Sequence, residues 1–453
     1  MSGLDVRALL EQSGDGDLER WARTINPQFA RVLRTIGFDR RWTRAEGAYL
    51  YDADGARYAD WLGGFGMYNV GRNNPRVRAA LIEALGLDTP GMLAMGVTAL
   101  PGLLAEALLA RTPPRIERCL FTNSGTEAVE AALKLGRAAT KRGRVISTDH
   151  GFHGLTLGSL SANGNPEFAD RFGPLLPGFE RVPFGDLDAL ELQLKREDVA
   201  VFLVEPIQGK GINLPPAGYL EGAQALCRRY GTLLCLDEVM TGFGRTGRMF
   251  ALEHWGLDPD MVTVAKSLSG GYVPVGALLM ARAVHEAVFD SMPHAMSHGS
   301  TFAPNELAMV AGLAMLHELD EERLVERSAQ LGERLLELTR PLVDELDVVK
   351  DVRGLGLLWA IEFEGSGMQY RMLERARRGL FAQLVVVPLF ADHRILTQVA
   401  GDELAVVRVL PPFVLSDADV EEFGDALRET VAQAQRMPSS LTRFALTAAG
   451  IRS

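Results

Sequence analysis

Along most of this chain, short apolar runs alternate with longer stretches in which apolar residues recur every three or four positions. Such runs are typical of buried strands, and such stretches of amphipathic helices. The predicted strands are Arg118–Phe121, Arg144–Ser147, Ala200–Val204, Leu233–Leu236, Met261–Val264 and Ala277–Met280, with helices at Glu127–Ala139 and Gly218–Tyr230. This alternation predicts an α/β fold with a mostly parallel sheet, which binds ligands at the carboxyl ends of its strands.

The two ends of the chain have different patterns. The first residues predict an amphipathic helix around Leu18–Ile36 and a hairpin that turns at Asp52–Gly55. After residue 325 the pattern predicts a long helix, then strands at Gly356–Phe363, Leu384–Val387 and Ala405–Val409, and a closing helix at Asp417–Gln435. We therefore predict an N-terminal segment (1–75) that packs with the small domain, a large domain (76–325) and a small C-terminal α+β domain (326–453).

Composition narrows the possible partners. The chain has 47 Lys and Arg against 58 Asp and Glu, a net charge of −11, which argues against nucleic acid and anionic membranes as partners. No apolar run approaches the ~18 residues of a membrane span, and the first residues lack the apolar region of a signal peptide. Three cysteines are too few for a disulfide framework. We expect a cytoplasmic protein.

The first chemical motif is the turn Asn123-Ser124-Gly125-Thr126, which lies between a predicted strand and a predicted helix. Backbone N–H groups at the start of a helix are suited to bind a phosphate, and the helix dipole adds to the attraction. The spacing of Ser124 and Glu127 also fits a capping box, which is a purely structural feature. The two interpretations are compatible, because a capped helix still presents donors to an anion.

The second motif is the carboxylate of Asp237 at the end of an apolar strand. A carboxylate in this position suits a metal ligand, an acid or base, or a partner for a cationic ring nitrogen. Residues Gly242–Gly247 match the dinucleotide-binding pattern G-x-G-x-x-G, but they do not directly follow the strand. We reject that interpretation because a lone match is weak evidence. A hydride-transferring dehydrogenase, which depends on this match, is the last of the alternatives, and absence of NAD binding would exclude it.

The third motif is Lys266, which lies between an apolar strand and Gly270-Gly271. It is one of only six lysines, and the only one in a setting where a neutral amine is expected to act as a nucleophile. The histidines show no zinc pattern, so we expect no metal. A phosphate cradle, a strand-end carboxylate and a strand-end lysine are together the parts needed to hold pyridoxal 5′-phosphate.

In these motifs the sequence resembles the class III family of fold-type I pyridoxal-phosphate aminotransferases. The resemblance runs from about Tyr49 to Pro412, and 29 residues separate Asp237 from Lys266. The matching stretches are NSGTEAVEAALKLGR, GFHG, VEPIQG, DEVMTGFGRTG, AKSLSGG, GSTFAPNELA, VRGLG and RVLPP. The resemblance implies a large domain with a mostly parallel sheet, a smaller α+β domain and transamination of small molecules.

The resemblance also implies roles for individual residues. Lys266 is expected to be the Schiff-base lysine and to shuttle a proton, and Asp237 to pair with the pyridine nitrogen. Ser300 and Thr301 are expected to reach the phosphate bound by the neighbouring subunit, which implies a homodimer with shared active sites. The other expected cofactor-binding residues are Ser124, Gly125, Thr126, Phe152, His153, Glu205, Val239 and Met240.

For the substrate, the resemblance implies that Arg408 binds a carboxylate, and three departures concern the rest of the site. Leu155 stands where enzymes acting on omega-amino acids often have an arginine. Lys210 replaces a glutamate that can pair with the carboxylate-binding arginine, and Met240 replaces a glutamine. The expected apolar substrate walls are Trp61, Phe65, Met67 and Tyr68.

These features favour a ping-pong aminotransferase acting between an amino acid and an aldehyde, ketone or amine with a largely apolar chain. Met240 also occurs in glutamate-1-semialdehyde aminomutases, so an aminomutase is an alternative. A third possibility is a non-catalytic relative that serves as a binding subunit, against which the retention of Lys266 and Asp237 argues.

Overall fold

The computed structural model describes residues 3–93, 95–401 and 404–436. The N-terminal part contains α1 (Val6–Ser13), α2 (Asp17–Thr24), α3 (Pro27–Ile36), β1 (Trp42–Glu46), β2 (Tyr49–Asp52), β3 (Arg57–Asp60) and the short turn α4 (Gly63–Gly66). The predicted hairpin is confirmed, because β2 and β3 pair in antiparallel fashion.

The prediction of one helix over Leu18–Ile36 is wrong, because the structure has two helices there. The side chain of Asn26 accepts hydrogen bonds from the N–H groups of Gln28 and Phe29 and so caps α3. Pro27 occupies the first position of α3, where a proline is favoured, but it cannot continue α2. An Asn-Pro pair inside an amphipathic pattern therefore marks a new helix start.

The central part of the chain forms a seven-stranded sheet in the order β4-β10-β9-β8-β7-β5-β6. Its strands are β4 (Ile116–Thr122), β5 (Arg144–Thr148), β6 (Phe179–Val182), β7 (Val199–Val204), β8 (Leu233–Asp237), β9 (Met261–Val264) and β10 (Gly276–Ala281). Only β10 runs antiparallel to its neighbours. All six strands predicted here are confirmed, and β6 is additional. The fold is α/β with a mostly parallel sheet.

Helices flank this sheet. They are α5 (Pro75–Gly86), α6 (Ala99–Leu109), α7 (Gly125–Thr140), α8 (Leu157–Ala162), α9 (Pro166–Ala169), α10 (Leu187–Leu194), α11 (Tyr219–Tyr230), α12 (Arg282–Glu286) and α13 (Glu306–Glu321). Helix α7 lies close to the sheet, since a Cβ added at Gly136 would overlap the side chain of Val201 on β7. This close approach fixes where the N-terminus of α7 lies relative to the strand ends.

The C-terminal part forms a smaller antiparallel sheet in the order β11-β12-β15-β14. Its elements are α14 (Leu324–Thr339), α15 (Leu342–Glu345), β11 (Val349–Leu355), β12 (Leu358–Phe363), α16 (Met368–Ala376), α17 (Leu380–Ala391), β13 (Ile395–Leu396), β14 (Gln398–Ala400), β15 (Val406–Val409) and α18 (Asp417–Gln435). The predicted closing helix and the strands within Gly356–Phe363 and Ala405–Val409 are confirmed.

The predicted strand at Leu384–Val387 is wrong, because these residues lie inside α17. Helix α17 is buried on most sides. Its sequence is therefore almost entirely apolar and lacks the polar face of an amphipathic helix. A short apolar run does not by itself distinguish a buried strand from a buried helix.

The N-terminal segment packs against the C-terminal part of the chain. Strand β3 pairs in parallel with β13, and the rings of Phe38 and Phe390 lie 4.1 Å apart. The domain limits at residues 75 and 325 stay predictions, and residues 437–453 of the predicted small domain lie outside the described residues. In the described part of the chain, every helix is too short or too polar to cross a membrane.

Candidate active site

The carboxyl ends of β4, β7, β8 and β9 open into a cavity of about 820 Å³. Helix α7, the loop after β5 and strand β15 complete its walls. The predicted site residues that line it are Phe65, Ser124, Gly125, Thr126, Phe152, His153, Leu155, Glu205, Lys210, Asp237, Val239, Met240, Lys266 and Arg408. The structure therefore brings together residues that lie far apart in the sequence.

The turn between β4 and α7 combines a helix cap with an open helix N-terminus. Ser124 caps α7, and its hydroxyl accepts a hydrogen bond from the N–H of Glu127 at 3.3 Å. A Cβ added at Gly125 would lie 3.0 Å from Cγ1 of Val239, so any larger residue would require Val239 to shift by a few tenths of an ångström. Because the first N–H groups of a helix have no partner within the helix, this turn is suited to bind a phosphate.

A second layer of hydroxyl groups fixes Thr126 on the same turn. Its hydroxyl lies 2.8 Å from the hydroxyl of Thr156 and 2.6 Å from that of Ser159. The carboxylate of Glu130 accepts hydrogen bonds from the N–H groups of Gly158 and Ser159 at 2.8 and 3.0 Å. Helix α7 and the start of α8 are thus joined around the predicted phosphate site.

The carboxylate of Asp237 is buried at the end of β8 and is held at both oxygens. Its Oδ2 lies 2.7 Å from Nδ1 of His153, and its Oδ1 accepts hydrogen bonds from the N–H of Val239 and the hydroxyl of Thr263, both at 3.1 Å. Burial lowers the pKa of His153, but its hydrogen bond to Asp237 and the charge of that carboxylate outweigh this effect, so the pKa is raised. His153 therefore holds the carboxylate of Asp237 in place at the end of β8.

Lys266 follows β9 at the bottom of the cavity. Its backbone has a φ of 45°, a left-handed conformation that is unfavourable for a residue with a side chain. Burial lowers the pKa of its amine from 10.5 to about 8, although the charges of Asp237 and Glu205 oppose the shift. A larger fraction of this amine is therefore neutral and nucleophilic near neutral pH than for an exposed lysine.

Glu205, which follows β7, joins two loops of the site. Its carboxylate accepts hydrogen bonds from the N–H groups of Phe152 and Gly209, both at 2.9 Å. Burial raises the pKa of this carboxyl to about 7. Phe152 also packs edge-on against Phe168, with ring centroids 5.1 Å apart. Glu205 thus orients the loop that carries Phe152 and His153.

The sequence departs at three residues from the family that it resembles, and all three line the cavity. Leu155 is 59% exposed, so an apolar side chain stands at the cavity mouth. Lys210 forms an ion pair with Glu167 and donates a hydrogen bond to Oδ1 of Asn165 at 3.2 Å. Met240 contributes its thioether to the inner wall.

Four predicted site residues lie outside the cavity. Trp61 is fully buried and stacks on Phe423 with ring centroids 3.9 Å apart, so it is a core residue instead of a substrate wall. Tyr68 also does not line the cavity. The hydroxyl of Ser300 accepts a hydrogen bond from Nδ2 of Asn123 at 2.7 Å, and Thr301 is exposed.

Several apolar residues of the cavity were not predicted from the sequence. Phe168 belongs to the short helix α9, and Val273, Pro274 and Val275 follow the glycine turn after Lys266. Their position next to a predicted nucleophile in the sequence was a usable signal for the last three. Phe168 carried no such signal, because its place depends on how the loop after β5 folds back over the cavity.

A family model described as aminotransferase class-III matches residues 36–431 of the chain. The chain belongs to the class III aminotransferases. The putrescine aminotransferase of Pectobacterium atrosepticum is 42% identical over 364 residues, which is 76% of this chain and 76% of that protein. The aminotransferase PigE of a Serratia strain is 32% identical over 93% of this chain, but the chain spans only 54% of PigE.

Solved structures of class III aminotransferases share this fold. The crystal structure of ornithine aminotransferase from Toxoplasma gondii superposes with a TM-score of 0.82 and 29% sequence identity, over 95% of this chain and 98% of that chain. This chain is accordingly an aminotransferase, and its cofactor is pyridoxal 5′-phosphate. The cavity fits this cofactor, because the N-terminus of α7, the buried carboxylate of Asp237 and the amine of Lys266 all face the cavity.

Proposed function

We propose that this aminotransferase moves an amino group between an amino acid and an amine, aldehyde or ketone with a largely apolar chain. The observation that carries the proposal is the contrast within one cavity between Arg408 and the apolar side chains around it. A guanidinium is suited to bind a carboxylate in a bidentate manner. The apolar residues Phe65, Leu155 and Phe168 are suited to an aliphatic or aromatic chain.

The catalytic roles that we propose belong to Lys266 and Asp237. When bound, pyridoxal 5′-phosphate supplies an electron-withdrawing ring that acidifies the Cα–H bond of the substrate. The neutral amine of Lys266 would be the nucleophile that holds the cofactor and, once the substrate amine has displaced it, would move a proton from the substrate Cα to C4′ of the cofactor. Asp237, held by its hydrogen bond with His153, would be the acceptor for a protonated ring nitrogen. The two substrates react in turn, in a ping-pong sequence.

Further contacts to the cofactor are proposed for the residues around these two. Ser124, Gly125 and Thr126 are suited to bind its phosphate, since they form the N-terminus of α7. Phe152 and Val239 are suited to cover the two faces of a flat ring.

The names of the relatives are compatible with this substrate class. Putrescine is an aliphatic diamine, and the putrescine aminotransferase is the more similar of the two relatives described above. Because the chain spans about half of PigE, the activity of that longer protein bears less directly on this one.

A panel of amino donors and acceptors tests the proposal. We expect aliphatic or aromatic amines to be better donors than γ-aminobutyrate and other short amines with a distal carboxylate. In Leu155→Arg, a cation at the cavity mouth should shift the preference toward those carboxylate donors, and Leu155→Met is the matched control without charge. Strong preference of the unmodified enzyme for the short carboxylate donors would contradict the proposal.

Met240 favours one alternative function, an aminomutase that moves the amino group within a single molecule. This residue lines the cavity at a position where many class III aminotransferases have glutamine. Incubation with an amino-group-bearing semialdehyde and no separate acceptor distinguishes the two functions. An aminomutase converts such a substrate fully, whereas an aminotransferase stops after one half-reaction.

We also propose that the chain forms a homodimer whose active sites are shared. Thr301 is exposed and does not line the cavity of its own chain. Exposed apolar residues accompany it in the segments around residues 92–97 and 292–302, namely Met92, Leu93, Met95, Val97, Met292, Met296 and Phe302. A second copy of the chain would cover them. A cytoplasmic location and the absence of nucleic-acid partners stay predictions from composition.

A further inference from the structure

Arg408 is held by neutral groups. Arg408 lies on β15, and Gln398 on β14 is its direct cross-strand neighbour. With the oxygen of its amide turned toward the guanidinium, Gln398 accepts hydrogen bonds from Nε at 2.7 Å and from Nη2 at 2.6 Å. The carbonyl oxygen of Gly209 accepts a third hydrogen bond, from Nη1. A guanidinium has five N–H donors, so two of them remain for a ligand.

The charge of Arg408 has no direct counter-ion in the described part of the chain. No carboxylate lies within ion-pair distance there, and Glu205 acts on its charge only from farther away. Lys210, which replaces the glutamate of many relatives, directs its ammonium to Glu167 instead. The aromatic ring of Phe65 lies 5.9 Å from the guanidinium carbon and covers part of the remaining space.

We propose that Gln398 is a positioning residue that keeps Arg408 permanently open to a substrate carboxylate. This inference rests on the proposed role of Arg408. An acid in the same place would cancel the charge of the guanidinium and weaken its attraction for a substrate carboxylate, whereas a neutral amide orients the guanidinium without cancelling its charge. Gln398 should therefore affect the half-reaction with a 2-oxo acid and leave the half-reaction with an amine that lacks a carboxylate unaffected.

Gln398→Glu tests this because it keeps the length of the side chain and adds the missing charge. The two half-reactions of the holoenzyme are followed separately through the absorbance of the bound cofactor, with pyruvate as the 2-oxo acid and a simple alkylamine as the donor. For Gln398→Glu we expect the concentration of pyruvate needed for half-maximal rate to rise about tenfold or more, with little change in the maximal rate. A rise of this size corresponds to the loss of about one charge-assisted interaction. Gln398→Met, which removes the acceptor without adding charge, should give a smaller rise.

Two outcomes would overturn the inference. Equal loss in both half-reactions would show that Gln398 is merely structural. No change in either half-reaction would show that Gln398 does not orient Arg408. Arg408→Lys separates this from failure of the proposed function. If Arg408→Lys impairs the reaction with pyruvate while Gln398→Glu does not, only the role of Gln398 is refuted. If Arg408→Lys has no effect, the carboxylate-binding role of Arg408 is refuted as well.

Discussion

At the scale of single residues, the chemistry of this enzyme depends on how burial changes ordinary side chains. Lys266 and Asp237 lie in the same cavity; burial lowers the pKa of the amine of Lys266, and a hydrogen bond with His153 holds the carboxylate of Asp237. A buried group with a shifted pKa in a cavity is typical of catalytic sites. Sequence reasoning predicted that both residues lie in the site, since each stands close to the end of an apolar strand.

The lowered pKa of Lys266 predicts the pH dependence of cofactor capture by the apoenzyme. Only the unprotonated amine reacts, and its fraction rises with pH. The pKa of this amine is about 8, compared with 10.5 for an exposed lysine. We expect the rate of holoenzyme formation to rise with pH, to be half-maximal near pH 8 and to level off about one pH unit higher, as followed by cofactor absorbance. A rate that continues to rise toward the ordinary pKa of lysine would contradict the burial of this amine.

His153 should matter for rate more than for stability of the fold. His153→Leu removes the hydrogen bond to the carboxylate of Asp237, and hydrogen bonds to charged groups contribute about 1.5–3 kcal/mol. We expect kcat/KM to fall by about 10- to 100-fold, measured in a steady-state assay, because each 1.4 kcal/mol is a factor of ten. The control is His285→Leu, which lies on α12 outside the cavity and should leave activity unchanged. Equal losses in both variants would argue against the positioning role of His153.

The residues that sequence reasoning misplaced are aromatic. Trp61 is large and apolar and lies near Phe65 in the sequence, yet it packs into the core against Phe423 whereas Phe65 reaches the cavity. The backbone between them turns through left-handed conformations at Gly63 and Gly64, which directs neighbouring side chains to different sides. Periodicity in the sequence does not reveal such a turn.

At the scale of secondary-structure elements, the site depends on strand ends that meet one helix start. The strands of the large sheet were predictable, because each is a short apolar run bounded by turn residues. The limits of prediction show in α17 and in the break between α2 and α3. In both cases the outcome depended on tertiary burial or on a single cap, which hydrophobic patterning does not resolve.

Gly136 is predicted to set the distance between α7 and the sheet. A Cβ at this position would overlap Val201 on β7, so Gly136→Ala should push the helix outward and destabilise the fold by about 1–3 kcal/mol. Urea unfolding measures this as a lower midpoint. In the matched variant Gly102→Ala, on α6, no atom lies within 4 Å of the added Cβ. That variant should be stabilised by about 0.5–1 kcal/mol, as for glycine replaced by alanine in an open helix. A similar midpoint in both variants would contradict the packing argument.

At the scale of the whole molecule, the proposed dimer makes a prediction about mixed variants. Thr301→Asp should place a negative charge against the phosphate bound by the partner, and Lys266→Ala removes the nucleophile, so each homodimer should be inactive. In a mixed dimer one site combines the intact Lys266 with the partner's intact Thr301. When the two variants are coexpressed in equal amounts, we expect roughly a quarter of the normal activity, because half of the dimers are mixed and each has one good site. No recovered activity would indicate that each site is built from one chain.

We propose that this class III aminotransferase carries its cofactor on Lys266. The most direct test is to reduce the holoenzyme with borohydride, digest it and locate the cofactor by peptide mass spectrometry. We predict that the added mass lies on the peptide that contains Lys266, and that Lys266→Ala gives no labelled peptide. Labelling of another lysine, such as Lys210, or labelling that persists in Lys266→Ala would show that Lys266 does not carry the cofactor.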